Sequence, residues 1–320
     1  MDVVCLGEIL IDMFPSELGR RLVEVPAFHP KPGGAPANVA VAAARLGAKS
    51  AFMGKVGDDL FGHHLAQVLA REGVEVRGLR FDAQARTTMA VIAMPDENTA
   101  EFVFYRNPGA DMRLRPEELD GDLLREARAF HFGSLSLTDE PARSATREAI
   151  RLAREAASLV SFDVNYRPTL WTSPREAQAI VMEMIPQVHL LKVNQSELDL
   201  LAGNDLEAGS RALLEHGPEL VIVTLGPNGC YFRFAEGGAH VPGFKVKTVD
   251  AIGCGDAFIA GLLTRLVVNG DWRSQLSMER LRDCLRYANA VGALTALTPG
   301  VIPALPTAAK VEAFLREQGD

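Results

Sequence analysis

The chain has 320 residues, 48% hydrophobic and 23% charged, enough to bury a large core as one domain or one with an appendage. Its net charge of −8, with both signs mixed along the chain, argues against a nucleic-acid surface but leaves room for local basic groups that hold an anionic substrate. The four cysteines are widely spaced without a C-x-x-C pattern, no apolar stretch approaches the ~18 residues of a membrane span, and Glu8 and Asp12 stand where a signal peptide needs an apolar run. These features suggest neither a disulfide framework nor zinc nor a membrane span, and make a reduced, cytosolic protein the default.

Val3–Val4–Cys5–Leu6, within Asp2–Leu10, reads as the buried first strand of a parallel sheet. Asp12 stands just past it, where open α/β sheets bind ligands, although a turn aspartate would look the same. Arg20–His29 and Thr87–Arg106 both read as extended. The first carries Leu22, Val23 and Val25; the second carries Thr88, Ala90 and Ile92, a Pro95–Asp96–Glu97–Asn98 turn, then Phe102 and Phe104. They predict a small separate sheet, from about residues 18–30 and 86–106, covering the site as a lid that excludes water. Between them, Gly33–Gly34 turns into an alanine-rich helix ending at Gly47. The two glycines would open backbone N–H groups to a ligand, and Asn38 would project from the first turn; tight packing alone explains the same run.

Ser50–Val56 is a predicted strand, and a helix runs from Gly57–Asp58–Asp59 to Glu72. From Ala129 on, βα units repeat: strands at Ala129–Gly133, Val160–Val164, His189–Val193 and Leu220–Leu225, helices at Glu140–Ala157 and Glu176–Ile185, another opening at Asn194, and a partner strand at Cys230–Phe234. The alternation predicts a doubly wound, mostly parallel α/β sheet with helices on both faces.

Phe244–Val249 alternates like a strand, and a turn with Gly253 and Gly255 follows it. Phe258, Ile259, Leu262, Leu263 and Leu266 then recur at helical spacing. A glycine-rich turn feeding a helix N-terminus is an anion cradle, because the first N–H groups lack internal partners and the helix dipole is positive there. Asp256 sits in its mouth. A carboxylate beside a phosphate site needs a task, such as taking a proton from an attacking hydroxyl; it also suits a plain helix cap. Asp12, Asn165, Arg167, Asn194, Glu197, Thr224, Gly226, Gly229 and Asp256 all follow strand ends, which a doubly wound sheet gathers at one edge. Arg167 offers a planar fork for phosphate. Asn194 and Glu197, three apart on a new helix, share a face that suits hydrated Mg²⁺.

Taken together, these motifs resemble the PfkB, or ribokinase-like, family of sugar and nucleoside kinases, and within it the fructokinases. The family's D-T-x-G-A-G-D signature stands here as Asp250–Ala251–Ile252–Gly253–Cys254–Gly255–Asp256. Its N-terminal signature matches Gly33–Gly34–Ala35–Pro36–Ala37–Asn38–Val39–Ala40, its N-x-x-E motif Asn194–Gln195–Ser196–Glu197, and its T-L-G-x-x-G motif Thr224–Leu225–Gly226–Pro227–Asn228–Gly229. The likeness runs from Cys5 to about Pro306. It implies a Rossmann-like core with a β lid and ATP-dependent transfer to a sugar hydroxymethyl group. By match, Asp256 is the base, and Gly253, Cys254 and Gly255 support the phosphoryl charge. Asp12, Gly33, Gly34 and Asn38 bind sugar. Asn194 and Glu197 serve Mg²⁺, with Glu197 acting through water. Thr224, Gly226 and Gly229 bind nucleotide phosphate, and Asn289 lies where adenine is contacted. No Walker-type G-x-x-x-x-G-K-[ST] loop occurs.

Cys254 replaces the family's Ala and Ala251 its Thr. At a helix N-terminus Cys254 is a candidate for a lowered pKa and a reactive thiol. Many members bind K⁺ through backbone oxygens. Asp250 and Ile252 are the positions carried over, although Thr298–Pro299–Gly300 departs from the family's late loop. Arg106–Asn107–Pro108–Gly109–Ala110–Asp111–Met112 resembles the fructokinase R-N-P-x-A-D-M segment, with Arg106 reaching the sugar or its phosphate from the lid. The resemblance therefore implies D-fructose phosphorylated at O6. Another sugar, 2-keto-3-deoxygluconate or a ribosyl compound is the runner-up, and a catalytically dead scaffold is the alternative class. Lids in this family pair between subunits, which implies a homodimer.

Overall fold

The computed structural model describes residues 1–95, 101–268 and 270–319; the turn expected at Pro95–Asn98 lies, beyond Pro95, outside them. The chain opens with β1 (Val3–Leu6), β2 (Leu10–Pro15), β3 (Phe28–Gly33), α1 (Ala35–Arg45), β4 (Ser50–Gly57), α2 (Leu60–Arg71), β5 (Glu75–Asp82), β6 (Met89–Ala93) and β7 (Glu101–Tyr105). It continues through α3 (Gly121–Arg125), β8 (Ala129–Gly133), α4 (Ala142–Glu155), β9 (Leu159–Asp163), α5 (Pro174–Met184), β10 (Leu190–Asn194), α6 (Gln195–Ala202), α7 (Leu206–Glu215) and β11 (Leu220–Thr224). The hairpin β12 (Cys230–Phe234) and β13 (Gly237–Val241) precedes α8 (Cys254–Val268), α9 (Met278–Thr295) and α10 (Ala308–Glu317).

Among the described residues, one sheet has the order β13-β12-β11-β10-β9-β8-β1-β4-β5 and a smaller one the order β3-β2-β6-β7. The large sheet is parallel except for the β12–β13 hairpin at one edge. Its strands are apolar because both faces are covered. In β1, Val3 and Cys5 enter one core while Val4 and Leu6 enter the other, the two-residue alternation of a strand buried on both sides. The first core is closed by α1, α2, α8 and α9, the second by α4, α5, α6 and α7. Each fully buried leucine or phenylalanine contributes roughly 1.5–3 kcal/mol. No helix of the described residues is long and apolar enough to cross a membrane.

The small sheet takes β6 and β7 from the expected 86–106 stretch, but its other two strands come mostly from outside the expected 18–30. The apolar stretch after Gly7 supplies β2 to the small sheet, where it pairs antiparallel with β3 and parallel with β6. Leu22–Glu24, expected as strand, is a 3₁₀ turn, and the strand begins only at Phe28. Asp12 therefore stands within a lid strand, opposite Lys31, and not past the end of a core strand. Phe244–Val249 is not a strand either: β13 ends the sheet at Val241, and Phe244 packs edge-on against Phe314 at 5.1 Å between centroids.

Candidate active site

Between the lid and the large sheet lies a cleft of about 950 Å³. The lid roofs it with Ala90, Ile92, Phe102 and Phe104, so the roof is apolar and the floor is polar. The N-termini of α1 and α8 open into it, because small side chains on α1 let these two helices pack against each other.

The floor centres on the turn before α8. Gly253 has φ +78°, and a Cβ there would lie 2.2 Å from Val301 Cγ1, so the turn needs glycine twice over. The first helical bond runs from the Ala257 N–H to the Gly253 carbonyl at 2.9 Å. The amides of Gly255 and Asp256 precede that ladder and are left for a ligand. The Asp256 carboxylate accepts a 2.8 Å hydrogen bond from Asn38 Nδ2, which fixes it across the gap between α8 and α1. Burial pushes its pKa up to about 6, with Asn38 opposing, Asp163 adding repulsion, and Lys192 and Arg167 opposing in turn. A buried, positioned carboxylate with a pKa near 6 is a competent general base close to neutrality.

Asp12 lines the same end of the cleft. Burial pushes its carboxyl up to about 7, helped by repulsion from Asp256 and opposed by Arg167. Gly33 packs on it so closely that a Cβ would fall 1.8 Å from Asp12 Oδ2, so any side chain there displaces the acid. Gly34, Asn38, Asn165 and Arg167 also line the cleft. Asn165 has φ +41°, a conformation asparagine tolerates, and its N–H donates to Asp163 Oδ1 at 3.2 Å. The Arg167 guanidinium lies 6.0 Å from the Phe102 ring centroid, reaching from the core toward the lid.

The far end carries Asn194, Thr224, Gly226, Gly229 and Asn289. The Gly226–Gly229 turn is closed by Leu225 N–H to Gly229 O at 2.8 Å and Gly229 N–H to Gly226 O at 3.1 Å. Asn289 spends its Nδ2 on the carbonyls of Val241 and Pro242, at 3.3 and 3.1 Å, which ties it to the exit of β13.

Three expectations need correction. Arg106 does not line the cleft: it is buried, with Nε on Asp111 at 2.7 Å, Nη1 on Thr138 Oγ1 at 2.8 Å and Nη2 on the Leu135 carbonyl at 3.0 Å. It clamps the lid to the core. Glu197 is also buried outside the cleft lining. Its two oxygens accept the N–H groups of Tyr166 and Asn194, each at 2.8 Å, while Asn194 accepts the Glu197 N–H at 2.9 Å, a reciprocal capping box. The N-x-x-E spacing thus builds a helix start that presents Asn194, and no cluster of three metal-ligating side chains occurs among the described residues. Cys254 is not activated: burial pushes its thiol up to about 12, and repulsion from Asp250 and Asp256 adds to the rise. Asp250 lies behind the turn, accepting the N–H groups of Ile252 and Gly300, each at 2.9 Å.

Sequence reasoning missed Lys192 and Asp163. Lys192 Nζ contacts both Asp163 oxygens, at 3.0 and 2.8 Å, and lies 3.2 Å from where a Gly255 Cβ would be. Burial disfavours its charge, but Asp163, Glu197 and Asp256 outweigh that, and its pKa is raised. An ammonium is thus held under the turn before α8. The available signal was a lysine and an aspartate inside otherwise apolar parallel strands. Glu8, also missed, lines the cleft beside α1.

A lid over an anion-binding helix terminus, with a base beside it, defines a phosphoryl-transfer enzyme acting on an alcohol. The model of the pfkB family carbohydrate kinases matches residues 1–308, and the chain belongs to that family. It is 46% identical over 319 residues to a probable fructokinase-2 of Arabidopsis thaliana, covering 99% of this chain and 96% of the relative. Among solved structures, a fructokinase of Xylella fastidiosa with bound ATP superposes with a TM-score of 0.92 at 34% identity, covering 100% of this chain and 99% of that one. A double mutant of the Vibrio cholerae O395 fructokinase, in its fructose, ADP and potassium ion bound form, gives 0.89 at 36% identity, with 98% of each chain covered.

Proposed function

We infer that this chain is an ATP-dependent fructokinase that converts D-fructose to fructose 6-phosphate, with residues 1–320 working as one unit of core and lid. The observation that carries the chemistry is the Asn38–Asp256 contact at 2.8 Å, which holds a base of raised pKa at the mouth of the α8 N-terminus. The near full-length likeness to fructokinases carries the substrate.

In this reading Asp256 takes the proton of the fructose 6-hydroxyl as that oxygen forms a bond to the γ-phosphorus of ATP. The bond from that phosphorus to the β–γ bridging oxygen breaks, and ADP leaves. The free amides of Gly255 and Asp256, with Gly253 and Cys254 in the same turn, meet the charge on the transferring group. Lys192 adds positive charge beneath them. Asp12, Gly33, Gly34, Asn38, Asn165 and Arg167 form the sugar end. Asn194, Thr224, Gly226, Gly229 and Asn289 form the nucleotide end. Asn194, and Glu197 through water, would serve Mg²⁺ bound with ATP, which would offset phosphate charge; each Glu197 oxygen already accepts a backbone N–H. K⁺ suits the turn at Asp250 and Ile252: both Asp250 oxygens already accept N–H groups, which leaves carbonyl oxygens as the donor set. The ion would supply added positive charge behind the anion cradle.

The exposed lid face, with Val103 and Tyr105, and the open edge of β7 support pairing of two lids in a homodimer. Four unpaired cysteines support a reducing compartment such as the cytoplasm. The decisive assay measures ADP release with fructose, ribose, 2-keto-3-deoxygluconate and nucleosides. Preferential turnover of fructose upholds the reading; preference for another acceptor replaces the substrate; no turnover with any of them favours a scaffold.

A further inference from the structure

Glu8 occupies the short connection between β1 and β2, where the chain leaves the core for the lid. One of its oxygens, Oε1, accepts the N–H of Ala35 at 3.0 Å and so caps the first turn of α1. The other, Oε2, is shut away from solvent and has no hydrogen-bond partner. The residue is only 4% exposed, yet it lines the cleft. A cap requires one acceptor, which a glutamine would supply equally well. A second buried carboxylate oxygen with nothing to accept is destabilising unless a ligand provides a donor.

A second orphan stands close by. Asn38, one turn along α1 from Ala35, gives its Nδ2 to Asp256, but its Oδ1 is also buried and unpartnered. Two free acceptors therefore flank the start of α1 at the end of the cleft that holds Asp12 and Asp256. A sugar offers what this wall lacks, several hydroxyl donors on a rigid ring. The charged groups near Glu8 do not fill the vacancy. Arg106 has its guanidinium on Asp111, Thr138 and Leu135, and Asp111 repels Glu8. Burial pushes the Glu8 carboxyl up to about 7, with Asp111 adding to the rise and backbone N–H groups and Arg106 opposing it.

We propose that Glu8 is a sugar ligand: Oε2 accepts a hydrogen bond from a fructose hydroxyl other than the one phosphorylated, and makes that hydroxyl a requirement for binding. The inference rests on the fructokinase reading. A site built around a hydroxyl rejects the analogue lacking it far more strongly than an apolar wall does, because the buried acceptor is then stranded. A carboxylate acceptor adds the strength of a charge-assisted bond.

The test pairs the protein with a panel of monodeoxy fructoses, each lacking one non-reacting hydroxyl. Affinities are measured by calorimetry without ATP, and steady-state KM and kcat in parallel. Glu8→Gln keeps the cap on Ala35 and removes the charge; Glu8→Ala removes the acceptor altogether. The expected result is a rise of about tenfold or more in the Kd and KM for fructose in both variants, with the KM for ATP unchanged. One deoxy analogue, penalised at least about tenfold against wild type, should lose most of its penalty in Glu8→Ala. If every analogue carries the same penalty in wild type and both variants, Glu8 only caps α1 and the proposal is overturned. Wild-type protein that turns over another sugar but not fructose overturns the substrate reading itself. That outcome is read from the wild type alone and so is distinct from failure of the Glu8 assignment.

Discussion

A carboxylate of ordinary pKa is a weak base toward a sugar hydroxyl, and Asp256 owes its basicity to surroundings that withhold water from it. Asp256→Asn should lower kcat by roughly 10²–10⁴-fold with little change in the KM for fructose, measured by coupled ADP release. The pH profile follows in sign: below about 6 the carboxyl is protonated and cannot accept a proton, so kcat falls on the acid side, and Asp256→Asn should lack that limb. Cys254 makes the opposite case. A thiol pushed up to about 12 is almost wholly protonated at neutral pH, so iodoacetamide should label it far more slowly than free cysteine. Labelling at the free-cysteine rate, slowed by ATP, would contradict the burial argument. Lys192→Met leaves Asp163 buried without its partner and should destabilise the fold by about 3–5 kcal/mol in denaturant titrations.

At the scale of elements, helix starts carry much of the organisation. Asp59 caps α2 through the Gly62 N–H at 2.9 Å and also accepts the Thr87 N–H at 2.9 Å and hydroxyl at 2.8 Å, tying that helix to the chain entering β6. Burial opposes its charge, but these donors win and its pKa is lowered. A depressed carboxylate stabilises the fold above its unfolded pKa, near 4, and loses that contribution as the pH falls. Asp59→Ala should therefore cost about 1–2 kcal/mol at pH 7 and clearly less at pH 3, read from urea melts at the two pH values. The elements also show where the sequence was legible. The βα units from Ala129 onward were readable because buried parallel strands are short apolar runs between amphipathic helices. The lid was readable only as an interruption. β2 continues an apolar stretch begun in β1, and nothing in residue type says that Gly7–Ile9 changes sheet. Leu22, Val23 and Val25 look like strand residues, but the neighbouring edge was already taken by Phe28–Gly33. Phe244–Val249 alternates because one side lines the cleft and Phe244 packs on Phe314, a half-buried surface that needs no strand partner.

For the whole molecule, the motif glycines Gly34, Gly253 and Gly255 line the cleft, whereas Gly33 packs against Asp12 behind it. Arg106 and Glu197 were assigned ligands but serve as ties, since motifs record which residues a fold keeps without separating contact from support. Lys192 and Glu8 escaped because each is a single charge in an apolar setting. The molecule also stores an electrostatic tension. Glu8, Asp12 and Asp256 face one cleft with carboxyls raised to about 7, 7 and 6. Raised carboxyls favour the folded state below their unfolded pKa, and that contribution is lost as pH rises through the folded values. Asp12→Asn should accordingly raise the Tm of the free protein at pH 8 by at least about 2 °C, the gain shrinking at pH 5 and disappearing only below the unfolded pKa near 4, while weakening fructose binding.

The central claim is that Asp256 faces the reacting hydroxyl while the amides before α8 face the transferred phosphoryl group. A crystal structure with fructose and a non-hydrolysable ATP analogue under the closed lid tests it most directly. The account predicts the sugar's 6-hydroxyl within hydrogen-bond reach of the Asp256 carboxylate, and γ-phosphate oxygens on the N–H groups of Gly255 and Asp256. Fructose bound with that hydroxyl turned away from Asp256, or a γ-phosphate seated elsewhere, would contradict it.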